Sequence, residues 1–230
     1  MNLLAIETSS PVLSVAVKKG KHPVREAALK GYFRHAENLL PLIDRLLRKE
    51  KLEIRDIDAF LIGRGPGSFT GLRVGFATLK GFLALRRKPC YGVLSPDLIA
   101  GGLPACKNEK LHVCLDAKRD KLYTRSYRYI KQAWTPQRSV VARSFEAFSA
   151  LLAEDCVLAG DGITADKRGV LNRPGWKTVL AAKKFWNPKA STLIALFEKK
   201  DPMLRALKTP KEFLPVYIRK SEAEERLKGK

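Results

Sequence analysis

The sequence predicts an α/β protein of two domains, each a mixed five-stranded sheet with helices. Three observations carry this. The chain has 230 residues and 45% hydrophobic residues, enough for two cores of about 100 residues each. Short apolar runs in the first half alternate between strand and helix spacing. A Gly-Gly pair, Gly101-Gly102, with Pro104 marks a boundary near the middle. The expected domains are 1–103 and 104–230.

The first half reads element by element. Leu3 to Glu7, Val12 to Val17 and Val24 to Leu29 are short strands separated by Thr8-Ser9-Ser10-Pro11 and Lys18-Lys19-Gly20-Lys21. That is an antiparallel meander. A helix follows from Arg34 to Lys49. Ala36, Leu39, Leu40, Ile43, Leu46 and Leu47 form its apolar stripe, Leu42 lies off the stripe, and Pro41 kinks it or starts its regular part. Asp58 to Ile62 is a fourth strand and Cys90 to Val93 a fifth, with a helix from Phe76 to Leu85 between them. Ser95-Pro96-Asp97 opens a short helix with proline at its first position. Three hairpin strands, helix, strand, helix, strand is the order of a ribonuclease-H-like domain.

The second half is fainter. Leu111 to Asp116 and Lys121 to Tyr129 form a hairpin around Ala117 to Asp120, and Pro136 to Val141 is a third strand. Ser144 caps a helix to Leu152, and Cys156 to Ala159 is a strand ending at Gly160-Asp161-Gly162. Helices are expected at Ser191 to Glu198 and Ser221 to Leu227, the last packing back on the first domain. The element order suggests a degenerate copy of the first domain.

Charge narrows the partners. There are 44 Lys plus Arg against 23 Asp plus Glu, a formal +21. Residues 1–105 hold 17 basic and 9 acidic groups and the rest hold 27 and 14, so the excess is no tail. Such a field attracts polyanions, RNA above all, although a merely solvated basic surface accounts for it equally and no RNA-binding signature accompanies it. No apolar run approaches the roughly 18 residues of a membrane span. The N-terminus has no signal-peptide pattern, and Cys90, Cys106, Cys114 and Cys156 have no paired spacing. A reduced, cytoplasmic protein is expected.

The densest motif runs from Gly63 to Gly75, GRGPGSFTGLRVG, between the fourth strand and its helix. Such a turn presents free N–H groups at a helix start. It lacks the Lys-Ser or Lys-Thr of a P-loop, and Ser68 lacks a G-x-S-x-G elbow. Gly65-x-Gly67-x-x-x-Gly71 fits a dinucleotide turn only loosely, because it ends the fourth strand rather than the first. Close packing is the plainer reading. Gly71, Gly75 and Thr78 share a helix face, and a glycine costs a helix interior about 1 kcal/mol against alanine. This face is expected to admit a partner's helix, with Leu72, Phe76, Leu79 and Leu83 toward the sheet.

Other candidates are weaker. Glu7-Thr8-Ser9 could hold a phosphate or a metal-bound water, or be a hairpin turn with a satisfied carboxylate. His35 has no histidine one turn away and reads as a polar contact at a helix start, not a metal ligand. Gly160-Asp161-Gly162 could approach a nucleotide, though a plain turn is simpler. His112 with Cys114 is too few ligands for zinc. Asp116, Arg119 and Asp120 read as hairpin residues.

Six stretches together resemble a known family. They are Leu4-Ala5-Ile6-Glu7-Thr8-Ser9; Arg34-His35-Ala36-Glu37-Asn38-Leu39-Leu40-Pro41; Gly65 to Gly75; Asp116-Ala117-Lys118-Arg119 with Leu122-Tyr123; Gly160-Asp161-Gly162; and Pro215-Val216-Tyr217-Ile218-Arg219. In order and along nearly the whole chain they resemble the motifs of the TsaB (YeaZ) family, more weakly in the second half. The resemblance implies two actin-like ATPase-type (ASKHA) domains. It implies a non-catalytic, dimerising subunit in making N6-threonylcarbamoyladenosine (t6A) at position 37 of tRNAs that read codons starting with A. Implied partners are the transferase TsaD, a paralogue, the ATPase TsaE, and functionally TsaC, which makes threonylcarbamoyl-adenylate. The chain alone would form a homodimer, with tRNA contact through its basic surface. No cofactor is implied for the isolated subunit; ATP or ADP and a metal would come with the partners. The implied interface is His35, Leu39, Leu42, Leu46, Gly71, Leu72, Gly75, Thr78 and Phe82. Glu7, Thr8, Ser9, Gly160, Asp161 and Gly162 would be a vestigial nucleotide site, with Glu7 in place of the family's usual aspartate. An ATP-binding enzyme of the sugar-kinase class, or a protease, is the alternative.

Overall fold

The computed structural model describes residues 1–31, 34–104, 109–152, 155–166, 169, 171 and 178–219. The chain divides into two compact units, 1–103 with 187–215, and 104–186 with 216–230. The second unit therefore does not run unbroken to the C-terminus as expected: residues 187–215 return to the first. The expected helix from Ser221 to Leu227 lies outside the described residues.

In the first unit the order is β1 (Leu3–Glu7), β2 (Val12–Lys18), β3 (Arg25–Lys30), α1 (His35–Lys49), β4 (Ala59–Gly63), α2 (Phe69–Leu85), β5 (Cys90–Val93) and α3 (Ser95–Gly102). β1, β2 and β3 are antiparallel, while β4 joins β1 and β5 joins β4 in parallel. The resulting lateral order, β3-β2-β1-β4-β5, is ribonuclease-H-like. β1 is central and buried along its whole length, as a strand covered on both faces must be. Its two faces differ in size. Leu4 and Ile6, with Leu13, Val15, Val17, Phe60 and Ile62, meet Leu39, Ile43, Leu46, Phe76 and Leu79 of α1 and α2. Ala5 and Ala16, paired across β1 and β2, stand on the other face.

That small-residue face receives a late element. In the second unit come β6 (Lys110–Asp116), β7 (Lys121–Ile130), β8 (Ala133–Pro136), β9 (Val141–Ser144), α4 (Phe145–Ser149), β10 (Cys156–Ala159), α5 (Gly162–Ala165) and β11 (Thr178–Leu180); the chain then returns as α6 (Ala190–Glu198) and β12 (Arg205–Ala206). α6 packs on β1, β2 and β4. Its first turn is held by Ser14 Oγ, which accepts the Ala190 N–H at 3.0 Å, and by Glu26, which accepts the Ser191 N–H and hydroxyl. Lys18 pairs with Glu198 at its far end at 2.5 Å. β12 adds antiparallel to β5. The sheet thus has six strands rather than five; a two-residue strand leaves no periodicity to read.

The second unit repeats the five-strand order as β8-β7-β6-β10-β11, with β9 also on β7. β6, β7 and β8 are antiparallel, and β10 and β11 parallel to β6. The third strand, expected at Pro136 to Val141, is split. β7 is ten residues long, and its outer edge is shared by β8 opposite Tyr127–Ile130 and β9 opposite Lys121–Thr124. Ser144 caps α4 by accepting the Ala147 N–H. Cys114, Leu122, Phe145, Phe148, Leu152, Cys156, Leu158 and Leu171 form this unit's core. Among the described residues no helix is long and apolar enough to cross a membrane.

Candidate functional site

In the first unit the motif residues meet at the carboxyl end of β1. Glu7, Thr8 and Ser9 are 0%, 1% and 4% exposed. Glu7 Oε1 accepts the Ser9 N–H at 2.5 Å, while Oε2 has no hydrogen-bond partner among the described residues. Burial pushes the Glu7 carboxyl up to about 7, against the lowering effect of the bonds from Ser9 and Thr8. The glycines make room for this end of the strand. A methyl group at Gly63, on the adjacent parallel strand, would overlap Glu7 Oε2; one at Gly67 would overlap Ser9 O, and one at Gly71 would overlap Thr8 O. At Gly75 it would stand 2.5 Å from Thr8 Oγ1. Hydrogen bonds lock the same contact. Ser68 N–H donates to Ser9 O at 2.7 Å, Ser95 N–H to Gly65 O at 2.8 Å, and Ser95 Oγ to Ser9 Oγ at 2.7 Å. Ser68 Oγ caps α2 by accepting the Gly71 N–H.

Two expectations change. Gly71 and Gly75 do not admit a partner's helix; they let α2 lie against Thr8 of its own unit. Glu7, Thr8 and Ser9 do not face a phosphate, because the glycine turn covers them. The expected interface also moves. Leu39, Leu42, Leu46 and Leu72 are at most 3% exposed and belong to the core. Leu42, taken as off the stripe, lies inside it, while Leu40 is 53% exposed and Ala36 is exposed. The buried arc centres on Leu39 and Leu46, one helical step from the stripe expected. His35 is buried too; its Nε2 lies 3.1 Å from Ser10 O, and burial lowers its pKa, so it holds the β1–β2 turn as a neutral ring. Thr78 and Phe82 are half-buried, Phe82 stacking on Phe60 at 5.8 Å. The apolar groups left outward on the packed pair α1–α2 include Ala36, Leu40 and Pro41 on α1 and Ala77, Gly81, Ala84 and Leu85 on α2, with Leu85 77% exposed. Pro41 leaves the Glu37 carbonyl unpaired on this wet side, so α1 runs through it uninterrupted.

The corresponding strand end of the second unit is built differently. Asp161 follows β10 and accepts the Asp116 N–H at 3.0 Å from the end of β6. Burial raises the Asp161 carboxyl to about 6, opposed by that bond and reinforced by the nearby Asp116 charge. Gly160, at φ 118°, is needed because a Cβ would overlap Cys114 O, and Gly162 packs against Leu122 and the same carbonyl. Close strand packing, the plainer of the two readings, accounts for both glycines. Lys118, Arg119 and Asp120 are all left-handed, with φ of 59°, 52° and 52°. Each such non-glycine residue is strained. The turn is held from two sides: Lys118 donates its N–H and Nζ to Asp116, and Arg219 Nη1 donates to Ala117 O at 2.8 Å and Lys118 O at 3.3 Å. A cleft of about 600 Å³ opens beside it, lined by Asp116, Lys118, Arg119, Asp120, Phe145 and Asp166 among others. The Arg219 contact spans about a hundred residues and has no local signal; only the resemblance singled the residue out. Among the described residues no three His, Cys, Asp or Glu side chains gather as a metal site. His112 is instead bonded to Ser126 Oγ at 2.9 Å.

Comparison with known proteins agrees with this architecture. Residues 29–171 match the family model described as TsaD: tRNA N6-adenosine threonylcarbamoyltransferase. The tRNA threonylcarbamoyladenosine biosynthesis protein TsaB of Haemophilus influenzae is 31% identical over 126 residues, 54% of this chain and 52% of that protein. Its Bacillus subtilis counterpart is 23% identical over 227 residues, 97% of this chain and 96% of that one. The matched segment thus spans about half the Haemophilus relative but nearly all of the Bacillus one. A Pseudomonas aeruginosa crystal structure, described as having similarity to peptidase YEAZ, superposes with a TM-score of 0.76 at 26% identity over 95% of this chain and 99% of that one. A second structure, YeaZ from the same species, gives 0.73 at 24% identity over 94% of this chain and all of that one. With the family match over residues 29–171, two ribonuclease-H-like units and relatives of this kind, the chain belongs to the TsaB (YeaZ) family.

Proposed function

We propose that the chain is a non-catalytic subunit of t6A synthesis, which binds and supports a TsaD-like transferase acting at position 37 of tRNAs that read codons starting with A. The observation that carries the non-catalytic part is the covered end of β1. Glu7, Thr8 and Ser9, which the resemblance makes part of a vestigial nucleotide site, are buried, and Gly63, Gly67, Gly71 and Gly75 bring the chain's own backbone down on them. The partner role rests on the names of the relatives and on the outward apolar groups of α1 and α2. We place the contact on Ala36, Leu40, Pro41, Ala77, Gly81 and Leu85 rather than on the buried residues the sequence suggested. Against a transferase paralogue this face makes a heterodimer, and against a second copy a homodimer. A TsaE-like ATPase joins the complex, a TsaC-like synthase supplies its threonylcarbamoyl donor, and nucleotide and metal belong to those partners.

Co-expression with the transferase paralogue tests this. L40E/L85E should abolish co-purification and t6A formation while leaving the melting temperature within a few degrees of the parent, since both residues are exposed. Capture of the paralogue by the folded double variant overturns the assignment. Saturable ATP binding by the isolated chain favours the enzyme alternative instead.

A further inference from the structure

Residues 121–143 contain Lys121, Arg125, Arg128, Lys131, Arg138 and Arg143 and not one carboxylate. Elsewhere the chain carries about three acids for every five bases, so this stretch concentrates the excess charge. The fold gathers it into one ribbon, β7 with β8 and β9 along its outer edge. Arg128, Lys131 and Arg138 are exposed, and among the described residues no carboxylate lies within ion-pair distance of them. Lys110 on β6 stands directly opposite Arg128. Like charges facing across an antiparallel pair repel.

The ribbon is also stiff. Arg125 Nε donates to Arg138 O at 2.8 Å, and its guanidinium lies 5.9 Å from the Tyr127 ring. Tyr129 and Trp134 pack edge to face at 5.0 Å across β7 and β8. At the tip, Lys131 and Gln132 have φ of 49° and 62°. A two-residue turn of this kind favours Asn-Gly, yet here a lysine takes the strained place. The fold thus projects a row of cations on a rigid backbone at a cost in charge repulsion and strain.

We propose that this β7–β8 ribbon docks the phosphate backbone of a structured RNA through Arg128, Lys131 and Arg138. The choice of RNA among polyanions rests on the t6A reading above. Three phosphate contacts should make binding strongly salt-dependent.

The test is fluorescence anisotropy of the full chain with an unmodified tRNA transcript across a salt series. R128Q/K131Q/R138Q is compared with K199Q/K200Q/K208Q, which removes the same charge from exposed positions of the first unit. The ribbon variant should bind at least about tenfold more weakly, with the salt slope reduced by about 2–3, and the control should change less than about twofold. Equal losses in both variants, no loss in the ribbon variant, or no binding by the parent chain overturns the proposal. So does a ribbon-dependent affinity for phosphatidylserine-containing vesicles that exceeds the affinity for tRNA. If the triple variant unfolds, the single variants R128Q, K131Q and R138Q decide, each expected to lower the slope by about 1. Capture of the transferase paralogue by the ribbon variant is measured in parallel. Its loss from L40E/L85E alone concerns the subunit role; loss of RNA binding from the ribbon variant alone concerns this surface.

Discussion

The two units share a strand order but finish it in opposite ways. At the end of β1 the first unit packs a helix onto the turn, and four glycines remove every Cβ that would hold them apart. At the end of β6 the second unit leaves a cleft, beside a turn of three left-handed residues tied down by Asp116 and Arg219. Each has a carboxyl raised by burial near that point, Glu7 at the end of β1 and the half-buried Asp161 after β10, which binds the end of β6. The same topology therefore supports a closed strand end, where a glycine-bearing helix packs onto the turn, or an open one, where glycines pack against β6 but the following turn stands beside a cleft.

The sharpest way to break this contrast is to put a side chain back. Gly71→Ala drives a Cβ into backbone, which cannot retreat, and should cost about 2–4 kcal/mol in urea unfolding. Gly75→Ala meets a hydroxyl instead and should cost about 1–2 kcal/mol, and Thr8→Ala should restore it while leaving Gly71→Ala unrescued. If Gly75→Ala stabilises by about 1 kcal/mol, as at an open helix position, the helix is not seated on Thr8.

The carboxylates give a comparable effect with different pH windows. Glu7 is neutral in the fold up to about pH 7 but ionises near 4.5 when unfolded. A raised acid pKa favours folding below the unfolded value, so stability should fall between pH 4.5 and 7, by about 3 kcal/mol for this group alone. Asp161 should contribute a similar fall between 3.8 and 6. Glu7→Gln should flatten the upper part of the profile and Asp161→Asn the lower part, read from urea midpoints at stepped pH. An unchanged slope above pH 6 in Glu7→Gln refutes the buried carboxyl.

An effect no larger than that of Gly75→Ala is expected in the second unit. Arg219→Ala removes the tie on Ala117 and Lys118 and should cost about 1–2 kcal/mol. It should speed amide exchange at residues 117–121 and leave the first unit's exchange unaltered. Unchanged exchange there means the turn is held without Arg219.

Much of the architecture was legible along the chain because strands and helices impose their own periods. Alternation marked β7, apolar runs marked β1, β4 and β10, and Ser144 announced α4, while α2 starts at Phe69, seven residues before the helical pattern expected from Phe76. The site was legible as residues but not as directions. The glycine face of α2 was correctly taken to sit against something close, yet sequence spacing cannot say whether that neighbour is another molecule or Thr8. A one-step error in the α1 stripe likewise exchanged Leu42 for Leu40, which turned a core residue into an expected contact.

Local chemistry along the chain was enough for the order of elements, the expectation of two domains, the charge and the family motifs, because these depend on neighbours within a few residues. Three things waited on the fold. α6 returns to the first unit because Ala5 and Ala16 leave a shallow face for a helix, a property of paired strands and not of either alone, and β12 then extends the sheet at the edge of β5. Arg219 meets Ala117 because two strands and a late segment converge. Gly63 to Gly75 close over Glu7 to Ser9 because β4 lies in parallel beside β1, and only that pairing brings the turn after one strand onto the end of the other.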